Sequence, residues 1–322
     1  MAFANSSITD IIATTIQSRT GQIADNVSDN NAVLTYLSKS GNVKTFSGGN
    51  TILQEISFQD NGNAGYYSGY DILPVAAQDV ISAAEYQIKQ VAVPVVISGL
   101  EMLQNSGKEQ IIDLLEQRLA VAEASMANLI ANGIYSDGTG TGGKQITGLG
   151  AAVPVANTTG TYGGIDRAAF PVWRNQVVDT SGVTAATIQA SWNSLYAKCV
   201  RGADHPNLIL VDNLTWQNYM ASLQAIQRFT SADAANLGFS AVKYMNTDVV
   251  LDGGIDGNCP ANTAFFLNTK YIFWRPHRDR NMVALSPKVR TSTNQDAETQ
   301  ILAFAGNLTT SGSKFQGRWD NN

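Results

Sequence analysis

Residues 135–150, YSDGTGTGGKQITGLG, decide between two kinds of fold. Gly138, Gly143 and Lys144 stand at the spacing of a phosphate-binding loop, which would make the chain a nucleotide-binding α/β protein. Such a loop needs more than its spacing. A buried strand must feed it, a helix must leave it, and a Ser or Thr hydroxyl must follow the lysine to hold Mg²⁺. Here Gln145 follows Lys144. Upstream, Ile111, Leu115, Leu119, Ala122, Met126 and Leu129 recur at helical spacing. They predict a helix over about 107–132, roughly 39 Å long at about 1.5 Å per residue. Ser106 and Glu109 form a capping box at its start, and Asn132-Gly133 supplies a stop. Downstream, ITGLGAAVPVA has no helical period. A helix feeds the loop and none leaves it, so the nucleotide reading fails. The segment is expected to be a flexible loop after a strut helix, and no cofactor is expected.

Before the helix the chain changes character twice. Ile8, Ile11, Ile12 and Ile16 mark a short amphipathic helix, and a polar arm follows with a further helix near NAVLTYL. The arm is too polar to bury itself, so it should lie along something else. Between 43 and 98, TILQEISF and QIKQVAVPVVIS are rich in β-branched residues, and QDNGNAGYYSGYDILP between them is full of turn signals. A long extended hairpin follows from this pattern. Pro94 places the second strand at an edge or a bulge. Tyr66, Tyr67 and Tyr70 cluster near the tip with no Lys or Arg beside them. That excludes base stacking as their role and points to contact with another protein.

Composition narrows the class. Charged residues make up 15% of 322, well under the usual quarter, so the surface has little to repel a neighbouring copy. A net charge of −5 excludes a dedicated nucleic-acid binder. Cys199 and Cys259 are too few and too far apart for a disulfide framework, which implies a reducing compartment. MAFANSSITDIIATTIQ lacks the basic and apolar regions of a signal peptide, and no run of 18 apolar residues could span a membrane. A soluble cytoplasmic product is expected.

The second half alternates helices and strands: TIQASWNSLYAKCVRG, NLILVD, NLTWQNYMASLQAIQRF, TDVVLDGG and TAFFLNTKYIFWRP. This is a mixed α/β or α+β domain, and the tail ETQILAFAGNLTTSGSKFQGRWD reads as a terminal strand pair. Chemistry is hard to find in it. His205 and His277 have no companions at ligand spacing, so no metal site is expected. DGGIDG from Asp252 has glycine at the third calcium-loop position and Thr263 at the twelfth, which excludes an EF-hand. Arg275, His277, Arg278 and Arg280 form a basic run interrupted by Asp279, read as a solvated or inter-subunit face. No catalytic residues emerge, and the chain is not read as an enzyme.

Taken in order, several segments resemble the major capsid proteins of tailed bacteriophages, which have the Hong-Kong-97-type fold. They are LTYLSKSGNVKTFSGGNTILQEISF, the strut helix, IDRAAFPVWRNQ, NLILVDNLTWQNYMASLQAIQRF, LGFSAVKYMNTDVVLDGG and QDAETQILAFAGNLTTSGSKFQG. The resemblance implies an α+β chain: an N-terminal arm (1–45), an E-loop hairpin (46–98), and a P-domain carrying a long spine helix (99–172). A mixed α/β A-domain (173–284) and C-terminal strands returning to the P-domain (285–322) complete it. It implies a structural subunit that self-assembles as hexamers and pentamers into an icosahedral shell around a double-stranded DNA genome. Scaffolding and portal proteins, and in some relatives decoration proteins, are the implied partners. Packaged DNA would be held non-specifically, no membrane would be involved, and the shell would form in a bacterial cytoplasm. An encapsulin-like compartment is the alternative within the same fold.

Overall fold

The computed structural model describes residues 31–98, 108–223, 241–252, 258–285, 289–290 and 297–322. Within them, the side chains at 97, 108–117, 241, 284, 289–290 and 297–298 are not described. The expected helix over 8–16, Ser106, the side chains of Glu109, Ile111 and Leu115, Ile226 and the glycine-rich run after Asp252 all lie outside that description.

The chain opens with helix α1 (Ala32–Lys39), then strands β1 (Thr51–Ser57), β2 (Ile81–Gln87) and β3 (Lys89–Ser98), and the long helix α2 (Lys108–Tyr135). A small hairpin, β4 (Thr161–Tyr162) and β5 (Ile165–Asp166), precedes β6 (Gln176–Thr180). Helix α3 (Ile188–Cys199), β7 (Leu208–Val211), helix α4 (Asn213–Ser222), β8 (Ala241–Tyr244), β9 (Thr247–Leu251) and β10 (Thr263–Leu267) follow. The remainder is strand: β11 (Ile272–Pro276), β12 (Val283–Ala284), β13 (Val289–Arg290), β14 (Ala297–Thr310) and β15 (Gly317–Asn321). The class is α+β.

Two sheets carry the core. In the first, β14 lies at the centre. One of its edges pairs with β3, from Ala297↔Ser98 to Gly306↔Lys89; the other takes β11, β12 and β13 in succession. Pro94 sits opposite Ile301 in β3, whose other edge has no strand partner among the described residues, as a residue without an N–H requires. Helix α2 packs on β3. Its buried stripe is Leu119, Ala122, Met126, Ile130 and Ile134. Leu129, placed on the stripe by sequence, is 47% exposed, because the helix continues in steps of four from Met126.

The second sheet has the order β6-β15-β10-β7-β9-β8. Its central strands are buried along their whole length. Alternation sends Leu208, Leu210, Phe265 and Leu267 into one core cluster, and Ile209, Val211, Ala264 and Phe266 into another. The second cluster is closed by α3, whose Trp192 stacks on Tyr219 at 4.7 Å and meets Phe266 edge-on at 5.4 Å. Burial on both faces explains why LILV and TAFFL are unbroken apolar runs.

Several sequence expectations are corrected here. The stretch TAFFLNTKYIFWRP supplies two strands to different sheets, separated by a single 3₁₀ turn at Thr269–Tyr271. The expected terminal strand pair is likewise divided. β14 belongs to the first sheet, whereas β15 inserts between β6 and β10 of the second, so the last strand does not return to the domain of α2. The reverse holds for β11 and β12, expected in the second domain. The arm, expected to be too polar to bury itself, does so at helix α1. Ala32, Val33, Leu34, Thr35 and Leu37 are buried in the subunit's own core, and Asn31 caps the helix by accepting from the Leu34 N–H at 3.2 Å.

Residues 135–150 are built rather than flexible. Gly133 does not end α2, which runs on to Tyr135; a Cβ there would stand 2.9 Å from that of Ile146. The loop folds back onto the helix end, and the Gly148 N–H donates to the Ser136 carbonyl at 3.0 Å. A Cβ on Gly148 would lie 2.1 Å from the Ile134 carbonyl oxygen and 2.3 Å from that of Gly133. The glycines serve close packing, and Lys144 points to solvent.

Gly148→Ala should therefore destabilise the subunit by about 3 kcal/mol, since two backbone carbonyls must move. Lys144→Ala, on the exposed side of the same loop, should stay within about 0.5 kcal/mol of wild type. Urea unfolding followed by fluorescence measures both; equal midpoints for Gly148→Ala and wild type would refute the packing account.

Candidate functional site

The hairpin formed by β1 and β2 pairs Thr51↔Gln87 through Ser57↔Ile81. Only its root is anchored. Ile52, Ile56, Ala84 and Tyr86 turn one face of the ladder into the core, while Leu53 and Ile81 point outward. Tyr86 is the main tether: its hydroxyl donates to the Thr310 carbonyl at 2.9 Å and accepts from the Thr310 N–H at 3.3 Å. Its ring meets Tyr162 edge-on at 5.3 Å, and Tyr162 stacks in turn on Trp173. The hairpin root is thus locked to the end of β14 and to the β4–β5 hairpin.

Beyond the ladder, residues 58–60 still line a cleft on the subunit, and residues 61–79 are exposed along almost their whole length. Side-chain amides hold the two limbs together, with Gln59 donating to the Asp79 carbonyl at 2.9 Å and Asn63 to that of Ala76. The tip turns where the Ser68 N–H donates to Asp71 at 2.8 Å. Tyr66 and Tyr70 are fully exposed and Tyr67 is 68% exposed, so the structure brings the three sequence candidates to one projecting segment and covers none of them. Sequence reasoning missed their continuation: Ile72 and Val75 are more than 90% exposed, and Leu73 is half exposed. The readable signal was an apolar DILPVAA inside a turn-rich segment. Folded alone, the subunit leaves these six side chains in water. Together they form an apolar row exposed on a hairpin that is held only at its root.

The remaining candidates for chemistry do not assemble into a reactive centre. Among the described residues, no three His, Cys, Asp or Glu side chains gather to hold a metal. His205 contacts its neighbouring Pro206 carbonyl at 2.8 Å, and His277 packs edge-on against Phe46 at 5.0 Å. Burial pushes the Cys199 thiol up to about 12 and holds that of Cys259 well above the ordinary thiol value, so neither is a thiolate at neutral pH. A cleft of about 780 Å³ lies between the hairpin root and α3, with Glu55, Trp173, Arg201 and Phe315 in its walls. No hydrogen bond among the described residues joins two titratable side chains of its lining. Among the described residues, no helix is long and apolar enough to cross a membrane.

One partly buried polar contact links helix α2 to the second sheet. The Tyr135 hydroxyl at the end of α2 donates to Asp252, which follows β9, and the Tyr135 ring packs on Phe265 at 5.9 Å. Burial holds the Asp252 carboxyl above the ordinary carboxylate range, against the opposing effect of that hydroxyl.

No family sequence model and no curated protein sequence matches the chain. Solved structures do match. A chain of the cyanophage A-1(L) capsid asymmetric unit superposes with a TM-score of 0.65 at 19% identity, over 87% of this chain and 90% of that one. The capsid of a native GTA particle gives 0.56 at 12% identity, over 88% and 89%. The holo-SrpI encapsulin complex of Synechococcus elongatus PCC 7942 gives 0.54 at 9% identity, over 89% and 86%. The chain therefore has the fold of tailed-phage capsid proteins, one that an encapsulin shares.

The partly buried Asp252 carboxyl gives a sign that can be measured. Because its folded pKa is raised, the stability linked to Asp252 is complete below the unfolded carboxyl value of about 3.9 and is lost as pH rises through the folded value. Asp252→Asn keeps an acceptor for Tyr135 and removes that loss. Thermal melts should show a higher Tm than wild type at pH 7 and a flatter pH profile. A lower Tm for Asp252→Asn at pH 7 would mean that the carboxylate is stabilising.

Proposed function

We propose that a chain with this fold is the major capsid subunit of a tailed phage, one that builds a closed shell from copies of itself. The observation that carries this reading is the projecting apolar row from Tyr66 to Val75, which needs a neighbour to cover it. A neighbour's surface would remove these side chains from water at about 25 cal/mol per Å² of apolar area. Tyrosine adds contact area there at small entropic cost. Because the donor hairpin and the surface receiving it differ, the contact is heterologous, and heterologous contacts close into rings when the rotation allows. Hexamers and pentamers of an icosahedral shell are such rings.

The finer reading follows the same logic. The hairpin is the E-loop, the first sheet with α2 is the P-domain, and the second sheet with α3 and α4 is the A-domain. The shell encloses double-stranded DNA that it does not grip, since the net charge of −5 opposes wrapping a phosphate backbone. Scaffolding and portal proteins guide assembly in a bacterial cytoplasm, and the finished subunit resides in the virion. The subunit catalyses no reaction. The encapsulin match favours a second reading, a cargo-holding compartment. Purified particles separate the two: packaged DNA supports the phage reading, and a protein cargo without DNA supports the compartment.

Deleting residues 61–70 should leave a folded subunit with wild-type circular dichroism while shell yield in sedimentation falls by about tenfold or more, because most of the covered area is removed. Leu119→Glu should do the opposite and lose the fold itself, since it places a charge at a fully buried position. Normal shells from the deletion variant would remove the hairpin from the assembly contact.

A further inference from the structure

The projecting hairpin has a charge pattern that its apolar row does not explain. From residue 45 to residue 88 the chain contains Glu55, Asp60, Asp71, Asp79 and Glu85 but no Lys or Arg. All five carboxylates are exposed. A surface that docks through apolar side chains gains nothing from a one-signed field unless the receiving surface carries the opposite sign.

Such a surface exists on the same subunit. Residues 42–46 of the arm add to the free edge of β11, where the Lys44 N–H donates to the Trp274 carbonyl at 2.9 Å and the Arg278 N–H to that of Phe46 at 2.9 Å. This brings Lys44 beside cations more than 200 positions later in the chain. The Lys44 ammonium lies 4.5 Å from the Phe273 ring centroid and the Arg275 guanidinium 5.7 Å from the same centroid. Arg278 and Arg280 follow in the exposed turn after β11, joined by Asp279 as the one acid of that turn. Among the described residues, none of these four cations forms an ion pair: Arg275 donates to Gln54 at 2.7 Å and Arg280 to Gln90 at 3.4 Å, both neutral amides. Four cations without counter-ions, in a chain of net charge −5, form a localised seat for anions.

We propose that this strip, Lys44 with Arg275, Arg278 and Arg280, receives the acidic hairpin of a second copy of the chain. This rests on the shell reading and identifies the surface that the hairpin meets. The strip lies at the hairpin's own root, since Gln54 of β1 is the partner of Arg275, while Asp60, Asp71 and Asp79 lie beyond the ladder. Asp60 and Asp79 stand just past the ladder and Asp71 at the tip turn, so acceptor and donor occupy different stretches of one element. Copies join head to tail, the apolar row supplies area, and the charges set the register.

The test reverses each side in the full chain under conditions where wild type forms shells. Arg278→Glu with Arg280→Glu should lower particle yield at least about tenfold, and so should Asp60→Lys with Asp79→Lys, since like charges then face each other. Combining all four substitutions should restore yield to within about threefold of wild type. Arg278→Gln with Arg280→Gln introduces no like charge and should lose yield only at elevated salt, where the remaining attraction is screened. Circular dichroism confirms that each variant is folded. The proposal is overturned if the strip reversal assembles as wild type does. Shells that form normally but lose their nucleic acid would assign the strip to phosphate instead, and native-like variants that stay unassembled after recombination would also reject the pairing. Failure of wild type itself to form shells would reject the shell reading from which the pairing is drawn.

Discussion

The pairing of β14 on both of its edges is the constraint from which the rest of the subunit follows. Its 14 residues carry β3 along one side and three short strands along the other. By holding β3 it fixes the surface on which α2 packs, and by holding β11 it fixes the edge to which the arm adds. Its end at Thr310 receives the Tyr86 hydroxyl, so the direction in which the hairpin leaves the body is set there as well. A side chain at Gly306 would collide with the Arg275 carbonyl at 2.6 Å, which shows how closely the flanking strand approaches.

Two different forces divide the work on the hairpin. Apolar burial is indifferent to orientation and scales with area, so Tyr66, Tyr70, Ile72 and Val75 would adhere to many surfaces. Charge is selective about partner and position. A segment with five carboxylates and no cation repels another copy of itself, which discourages hairpin-to-hairpin contact between free subunits. The low charge density of the remaining surface then leaves few competing attractions.

Much of this was readable in the sequence. Helix α2, the position of Pro94 and the tyrosine cluster follow from periodicity and turn chemistry that act over a few residues. What stayed hidden depends on distant partners. Leu129 and Ile130 continue the apolar period from Met126 by three and by four residues, and only the continuation to Ile134 in steps of four separates the buried one from the exposed one. Gly133 looks like a helix stop until Ile146 is seen against it. TAFFL and YIFWR look alike yet serve different sheets. The acidic half of the electrostatic pattern was legible as an absence of Lys and Arg over 45–88. Of its basic half, Arg275, Arg278 and Arg280 stand out as a run, but Lys44 does not, because it joins them only through the bridge between the arm and β11.

The order of the strands along the chain also bears on how the subunit is made. β14 and β15 each occupy an interior position in their sheets, and every strand that either of them pairs with is synthesised earlier. During translation, β3 and β11 emerge before β14, and β6 and β10 before β15, so each first lacks one of its neighbours. Neither sheet can close until residues 297–321 are released, and contacts of such long range form slowly. The seat at β11 depends on β14 for its position, so a nascent chain offers no finished docking surface. Polysomes crowded with partial chains are thereby kept from nucleating a lattice, and association waits for complete subunits.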